Sequence, residues 1–224
     1  MIFLRLKQLR LKQRGETLIE VIVAMGVLAI GALVASTLIV STIRSTVVNK
    51  NYLVALNLSR EGMEAVRAIR ATNWMIFPNN TEDCWDVLDD ESVAGEGACA
   101  SSTKFADSVK TYYRVNLNGI ADASPYKWVL EPSAVSSKFT VATNSADRKF
   151  YLLKPDSANA GLYRHQASNG TQEYDDTNTS FYRAIAIEPA GINNGEVRVV
   201  SAVHWFEGGK LKEVNTESIL TNFK

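Results

Sequence analysis

With 224 residues, 24 basic and 24 acidic, the chain is long enough for one membrane segment plus one globular domain of ordinary size. The zero net charge hides an uneven split: residues 1–15 hold five bases (Arg5, Lys7, Arg10, Lys12, Arg14) and no acid, and the remaining 209 residues carry 19 bases and 24 acids, net −5. A mildly acidic body excludes a general nucleic-acid footprint, which needs clustered Lys and Arg.

Behind the basic leader, residues 21–43 form a run of 23 without a charge. As a helix this run spans roughly 34 Å, enough for a hydrocarbon core of about 30 Å. All five leader bases precede it, so the positive-inside rule puts the N-terminus on the cytoplasmic side and the bulk of the chain outside. Glu20 stands at the mouth of the run, and a charge in a membrane span is expensive and usually functional. Three readings compete. A secretory signal peptide should have an apolar region of about 7–15 residues and an Ala-x-Ala-like site; this run is too long, and the nearest small-residue site, around Val34-Ala35-Ser36, is a poor match. A plain signal anchor explains the bases and the length but not the glutamate. In the third reading the chain is cut on the cytoplasmic side, before the apolar helix, and the helix stays with the mature protein.

The stretch Arg14-Gly15-Glu16-Thr17-Leu18-Ile19-Glu20-Val21 resembles the class III signal of type IV pilins and type II secretion pseudopilins. The resemblance implies cleavage by a prepilin peptidase between Gly15 and Glu16, and it matches the family's fifth mature residue, a glutamate, to Glu20. The family most often has Phe or Met directly after the cut, and that new N-terminus is methylated. Glu16 departs from this pattern, so cleavage carries over more directly than N-methylation of Glu16. In the family, the glutamate of one subunit is thought to neutralise the N-terminal amine of a neighbour. Burying either charge alone is costly, whereas the pair is tolerable. The alternative is that Glu20 snorkels to the headgroups or pairs with its own amine.

After Ile43 the pattern changes. Val48, Tyr52, Leu56, Met63, Val66 and Ile69 recur at helical spacing between polar residues, which predicts an amphipathic continuation of the same helix to about Asn73. No proline interrupts from Glu16 to Phe77. The charges between Arg60 and Arg70 read as a solvated face with internal ion pairs.

Residues 74–109 show few periodic signals and read as a connecting region. It holds the chain's two cysteines, Cys84 and Cys99. In an exported domain an isolated pair suggests one disulfide, which would clip an acidic, glycine-containing loop and contribute about 2–4 kcal/mol. The alternative is two unrelated small buried residues. The Asp89-Asp90 pair does not match an EF-hand loop.

From Lys110 the chain reads as strands: Tyr112 to Leu117, Trp128-Val129-Leu130, Phe139-Thr140-Val141, Phe150 to Leu153, Gly161 to His165, Phe181 to Ile187, and Glu196 to Phe206. A turn is expected from Pro155 to Asn159. Val197, Val199, Ser201, Val203 and Trp205 share one face of the longest strand. Gly208-Gly209 turns the chain, and Lys210 to Val214 returns as a hairpin. The ending, Ser218-Ile219-Leu220-Thr221-Asn222, also looks like that of many minor pilin-like proteins.

The sequence lacks a Gly-x-Ser-x-Gly elbow, a Walker loop and a Gly-x-Gly-x-x-Gly fingerprint, so no enzyme is expected. His165 and His204 have no ligand at metal spacing and read as packing or surface residues. No cofactor is expected. At Asp175-Asp176-Thr177-Asn178 a plain polar turn stands against calcium, which a loop of some pseudopilins holds. Two glycosylation sequons, at Asn169 and Asn178, are weak signals.

The expected class is α+β with a pilin-like fold: a long N-terminal helix, membrane-spanning in its first half, packed on a C-terminal antiparallel sheet. The expected divisions are a leader (1–15), an apolar assembly helix (16–43), its amphipathic continuation (44–73), a connecting loop (74–109) and a sheet domain (110–224). The expected function is a structural subunit, minor rather than major, of a type IV pilus or pseudopilus. Its partners would be prepilin peptidase, other pilin or pseudopilin subunits and the cytoplasmic membrane, with no nucleic acid indicated. Its mature form would lie in an extracellular or periplasmic fibre. The alternatives are a tip subunit for adhesion or DNA uptake and a monomeric membrane-anchored domain.

Overall fold

The computed structural model describes residues 16–88, 99, 104–105, 109–118, 127–133, 150–155, 163–165, 181–190 and 195–222. They form two helices, α1 (Glu16–Ile76) and α2 (Thr81–Cys84), and seven strands: β1 (Thr111–Asn118), β2 (Lys127–Pro132), β3 (Leu152–Pro155), β4 (Tyr163–His165), β5 (Phe181–Pro189), β6 (Glu196–Glu207) and β7 (Lys210–Thr221). The chain divides into two units, Met1–Asn49 and Lys50–Lys224. The expected class holds: the long N-terminal helix is followed by an antiparallel sheet, and the second half of that helix packs on it. Gly15, the strand expected at Phe139-Thr140-Val141, the acidic run from Asp89 to Gly97 and the turn at Asp175 to Asn178 lie outside the described residues.

No proline falls within α1, and the helix ends just short of Pro78, which disfavours helical backbone at Phe77. Asn73, buried in the last turn, donates through Nδ2 to the carbonyls of Trp85 (3.0 Å) and Val87 (2.9 Å). This fastens the segment that follows the helix and carries it three residues past the expected end.

The buried face of the second half differs from the stripe expected from bulky residues. Val48 and Tyr52 are exposed. The buried positions are Asn51, Ala55, Leu58, Ser59, Gly62, Met63, Ala65, Val66, Ile69 and Asn73, still at spacings of three and four. Four of them, Ala55, Ser59, Gly62 and Ala65, are small, and at Gly62 the helix lies very close to the sheet. A Cβ on Gly62 would stand 2.6 Å from Ser201 Oγ and 2.8 Å from Ile185 Cδ1. Ser59 Oγ donates to the Ser201 carbonyl at 2.8 Å and meets the Thr216 hydroxyl at 2.8 Å. Periodicity in large side chains found Met63, Val66 and Ile69 on this face but missed Ala55, Ser59 and Gly62, where close packing selects for a small side chain or none.

All the strand pairings are antiparallel, and β5 is the hub of the sheet. On one edge β5 pairs with β6, which pairs in turn with β7. Its other edge is shared. β1 pairs with Tyr113↔Ile185 to Thr111↔Ile187, and β3 takes over at Leu152↔Tyr182 and Leu153↔Phe181. β2 extends β1, and β4 extends β3. Phe181 to Ile187 are buried without exception, so both faces of β5 are covered. Ile185 and Ile187 join the helix-side core with Met63, Val66, Ile69, Val197 and Val199. Tyr182 and Ala184 lie in a second cluster with Tyr151 and Leu152, flanked by Tyr112, Phe150 and Phe206. Full burial of each branched aliphatic contributes about 1.5–3 kcal/mol.

Two strands differ from expectation. Phe150 and Tyr151 precede β3 in a helical turn, and Pro155, expected in a turn, closes β3. β7 runs to Thr221 rather than stopping at Val214, because Thr216, Ser218 and Leu220 continue the face that Val214 begins opposite β6. The β6–β7 hairpin turns at Gly208 (φ 56°) and Gly209 (φ 74°), both in the left-handed region that a primed two-residue turn requires.

Candidate functional site

The candidate site is the first half of α1. Every residue from Thr17 to Lys50 is exposed, including Leu28 at 74% and Ile30 at 65%. This helix is long and apolar enough to cross a membrane, and none of its most apolar stretch is buried within the chain. Its hydroxyls are satisfied internally. Ser36 donates to the Ala32 carbonyl, Thr37 to Val34 and Thr42 to Leu38, each at 2.8 Å, and Thr46 donates to Thr42 at 2.9 Å. Such back-bonding lets a hydroxyl sit where no water is present to take its hydrogen bond. Glu20 is exposed at the head of this stretch, one helical turn beyond Glu16, where α1 begins. Arg44 and Lys50 are the next charges along the helix. Between Glu20 and Arg44 the surface is therefore apolar all round, which a globular helix cannot leave in water.

The other residues singled out by sequence lie in the second unit. Cys84 and Cys99 are joined by a disulfide, with Cα atoms 5.6 Å apart. Both are fully buried, in a small apolar cluster with Phe77 and Val87. The bond ties the segment after α1 across 15 residues of sequence. His204 is buried in β6 with Nε2 3.3 Å from Glu213 Oε2. Burial pushes its pKa below the ordinary value, and Glu213 partly offsets this. His165 is buried at the end of β4, where burial and the charges of Arg183 and Arg114 hold it well below its usual range. Among the described residues no group of His, Cys, Asp or Glu could hold a metal ion.

The charges between Arg60 and Arg70 do more than face solvent. Glu64 pairs with Arg67 within the helix. Arg67 also donates to Ser218 Oγ (3.1 Å), and Arg70 donates to the Thr221 carbonyl (3.0 Å) while lying 4.4 Å over the Trp74 ring. Glu61 reaches into the sheet and meets Arg183 at 3.1 Å.

Arg183 is the residue that sequence reasoning missed. It is fully buried. Its Nη1 donates to the Leu58 carbonyl and its Nη2 to the Val115 carbonyl, each at 3.2 Å. Burial lowers its pKa, and Glu61 works against that. Continuing the β1–β5 register by two residues would place Val115 opposite Arg183. The guanidinium thus makes the bond that the β-ladder omits where β1 leaves β5. A signal was present in the sequence: Arg183 alternates with the core-facing Phe181, Ile185 and Ile187, and a cation on that face needs a buried partner.

No curated protein and no solved structure matches the chain. Residues 10–36 match a family model, the prokaryotic N-terminal methylation motif. The apolar helix headed by Glu20 thus carries the N-terminal signature of the type IV pilins and pseudopilins.

Proposed function

We propose that the chain is a structural subunit, of the minor class, of a type IV pilus or a related pseudopilus. It is cleaved by a prepilin peptidase between Gly15 and Glu16, held in the cytoplasmic membrane with its N-terminus inside, and then drawn into a fibre through α1. The observation that supports this reading is a methylation motif lying on a helix whose most apolar stretch is exposed. Lipid covers such a helix before assembly, and neighbouring helices cover it afterwards. Cleavage frees an amine at Glu16. Glu20 of one subunit then pairs with the amine of its neighbour, because neither charge is tolerated alone in an apolar bundle. Register along the fibre follows from that pairing. The sheet domain, closed by the Cys84–Cys99 disulfide, faces outward and stays soluble. Methylation, where it occurs, falls on the Glu16 amine.

Intact-mass and N-terminal peptide analysis of the protein from membranes tests the reading. A mature chain starting at Glu16 is expected. A chain retaining Met1, or one cut near Ala35, overturns it.

A further inference from the structure

The β6–β7 hairpin turns at the end of the sheet where α1 enters the folded unit. Asn51, buried on α1, donates through Nδ2 to Glu207 Oε1 at 3.1 Å, which ties the last residue of β6 to the helix. Further along α1, Ser59 bonds to Ser201, and Arg70 to Thr221 at the other end of β7. This order fixes a direction: the Gly208-Gly209 turn points toward the N-terminal side of Asn51, and both glycines are exposed. Val214 packs with Ala55 and Leu58 on the helix side of the sheet. Lys212 and Lys210 continue that face at the strand period of two, beside the helix that brings in Lys50. All three lysines are exposed, and none is ion-paired among the described residues. Leu211 (39%) and Tyr52 (49%), their neighbours in sequence, keep apolar surface exposed. The two acids nearest the turn are engaged, Glu207 with Asn51, and Glu213 with His204 (3.3 Å) and Asn215 (2.6 Å). Ile43, the last residue of the uncharged run, lies eight positions before Asn51 on the same helix, about 12 Å by the helical rise. The headgroup layer outside the hydrocarbon takes up roughly 5–7 Å of that distance. Lysine reaches into such a layer on a flexible stem, and tyrosine settles in it.

We propose that Lys50, Lys210 and Lys212 form a basic foot that rests on the anionic phosphate headgroups of the outer leaflet of the cytoplasmic membrane before assembly. The inference rests on the membrane-held reading above and adds to it a lipid partner for the folded unit. The chemistry fits headgroups: three hydrated ammonium groups on flexible stems adapt to phosphates that have no fixed arrangement. Leucine and tyrosine beside them suit the boundary between headgroup and acyl chain. Each lysine close to such a surface strengthens the contact about fivefold, and salt screens it. Entry into a fibre lifts the foot away, so anionic lipid holds the unassembled subunit back.

Lysine labelling of the full chain in vesicles tests this. The chain is reconstituted at low density into phosphatidylcholine alone, or into phosphatidylcholine and phosphatidylglycerol at a ratio of about 2:1. The vesicles are floated, exposed to a water-soluble amine reagent, and the labelled lysines are read by mass spectrometry. Lys110, paired with Glu188 at the opposite end of the β5–β6 ladder, is the internal reference. Lys210 and Lys212 should label at least about threefold more slowly in the anionic vesicles, and the difference should vanish in about 1 M salt. Lys50→Gln combined with Lys212→Gln should restore most of the labelling of Lys210. Slowing that survives salt, or that appears equally in neutral vesicles, points to a protein neighbour and overturns the proposal. A chain that floats with neither vesicle overturns the membrane-held reading as well. A chain that floats with both, its lysines labelled alike, overturns the foot alone.

Discussion

The two halves of α1 belong to one helix and live by opposite rules. From Thr17 to Lys50 the helix is rich in Leu, Ile and Val, and every residue is exposed. From Asn51 onward it is less apolar, and half-hidden among its charges are buried alanines, a serine and a glycine. The difference shows that apolar content does not measure how much of a helix its own chain covers. The first half is long and apolar enough to cross a membrane and lies exposed. The second half is built to approach a sheet, and it does so by removing side chains rather than adding them. Stability of the folded unit should therefore depend on the second half, and assembly on the first.

All four tryptophans, Trp74, Trp85, Trp128 and Trp205, lie in the second unit, so their fluorescence reports unfolding there alone. By that measure the largest effect should come from Arg183→Ala. It strips two buried carbonyls of their donor and leaves Glu61 without its cation, so a loss of about 3–5 kcal/mol is expected. Glu61→Ala should cost less, about 1–2 kcal/mol, since its side chain is 36% exposed and water screens the pair. Equal losses, or a larger one for Glu61, would mean that Arg183 does not hold the fork. Next is Gly62→Val, where overpacking against Ser201 and Ile185 should cost about 1–3 kcal/mol. A neutral result would show that the helix can lift away from the sheet without penalty. The smallest effect on this scale belongs to Glu20→Ala, which should stay within about 0.5 kcal/mol of the parent. The same variant should leave processed protein in the membrane and no fibres under the electron microscope. Normal fibres would remove Glu20 from the proposed assembly step.

Much of this was legible in the sequence, for reasons that differ by region. The 23 uncharged residues behind five bases are a long, redundant signal, and Glu20 stands out against them. The β6–β7 hairpin was legible because Val197, Val199, Ser201, Val203 and Trp205 alternate and two glycines follow. On the buried flank of α1, Met63, Val66 and Ile69 were legible; Ala55, Ser59 and Gly62 were not, because they carry almost no hydropathy and are chosen for size. Neither was the role of Glu61 and Arg67: their partners, Arg183 and Ser218, lie more than a hundred residues away along the chain. Helical periodicity reports which residues share a face and says nothing of what faces them.

The guanidinium at the parting of β1 and β5 also bears on what the sheet refuses. A strand that diverges from its neighbour leaves bare peptide groups on both, and such groups invite an intruding chain to add itself. With Arg183 bonded to Val115, the gap offers no free carbonyl at that point. Crowded at high local concentration, as subunits stored in a membrane would be, folded domains of this kind have one less place at which to zip into one another.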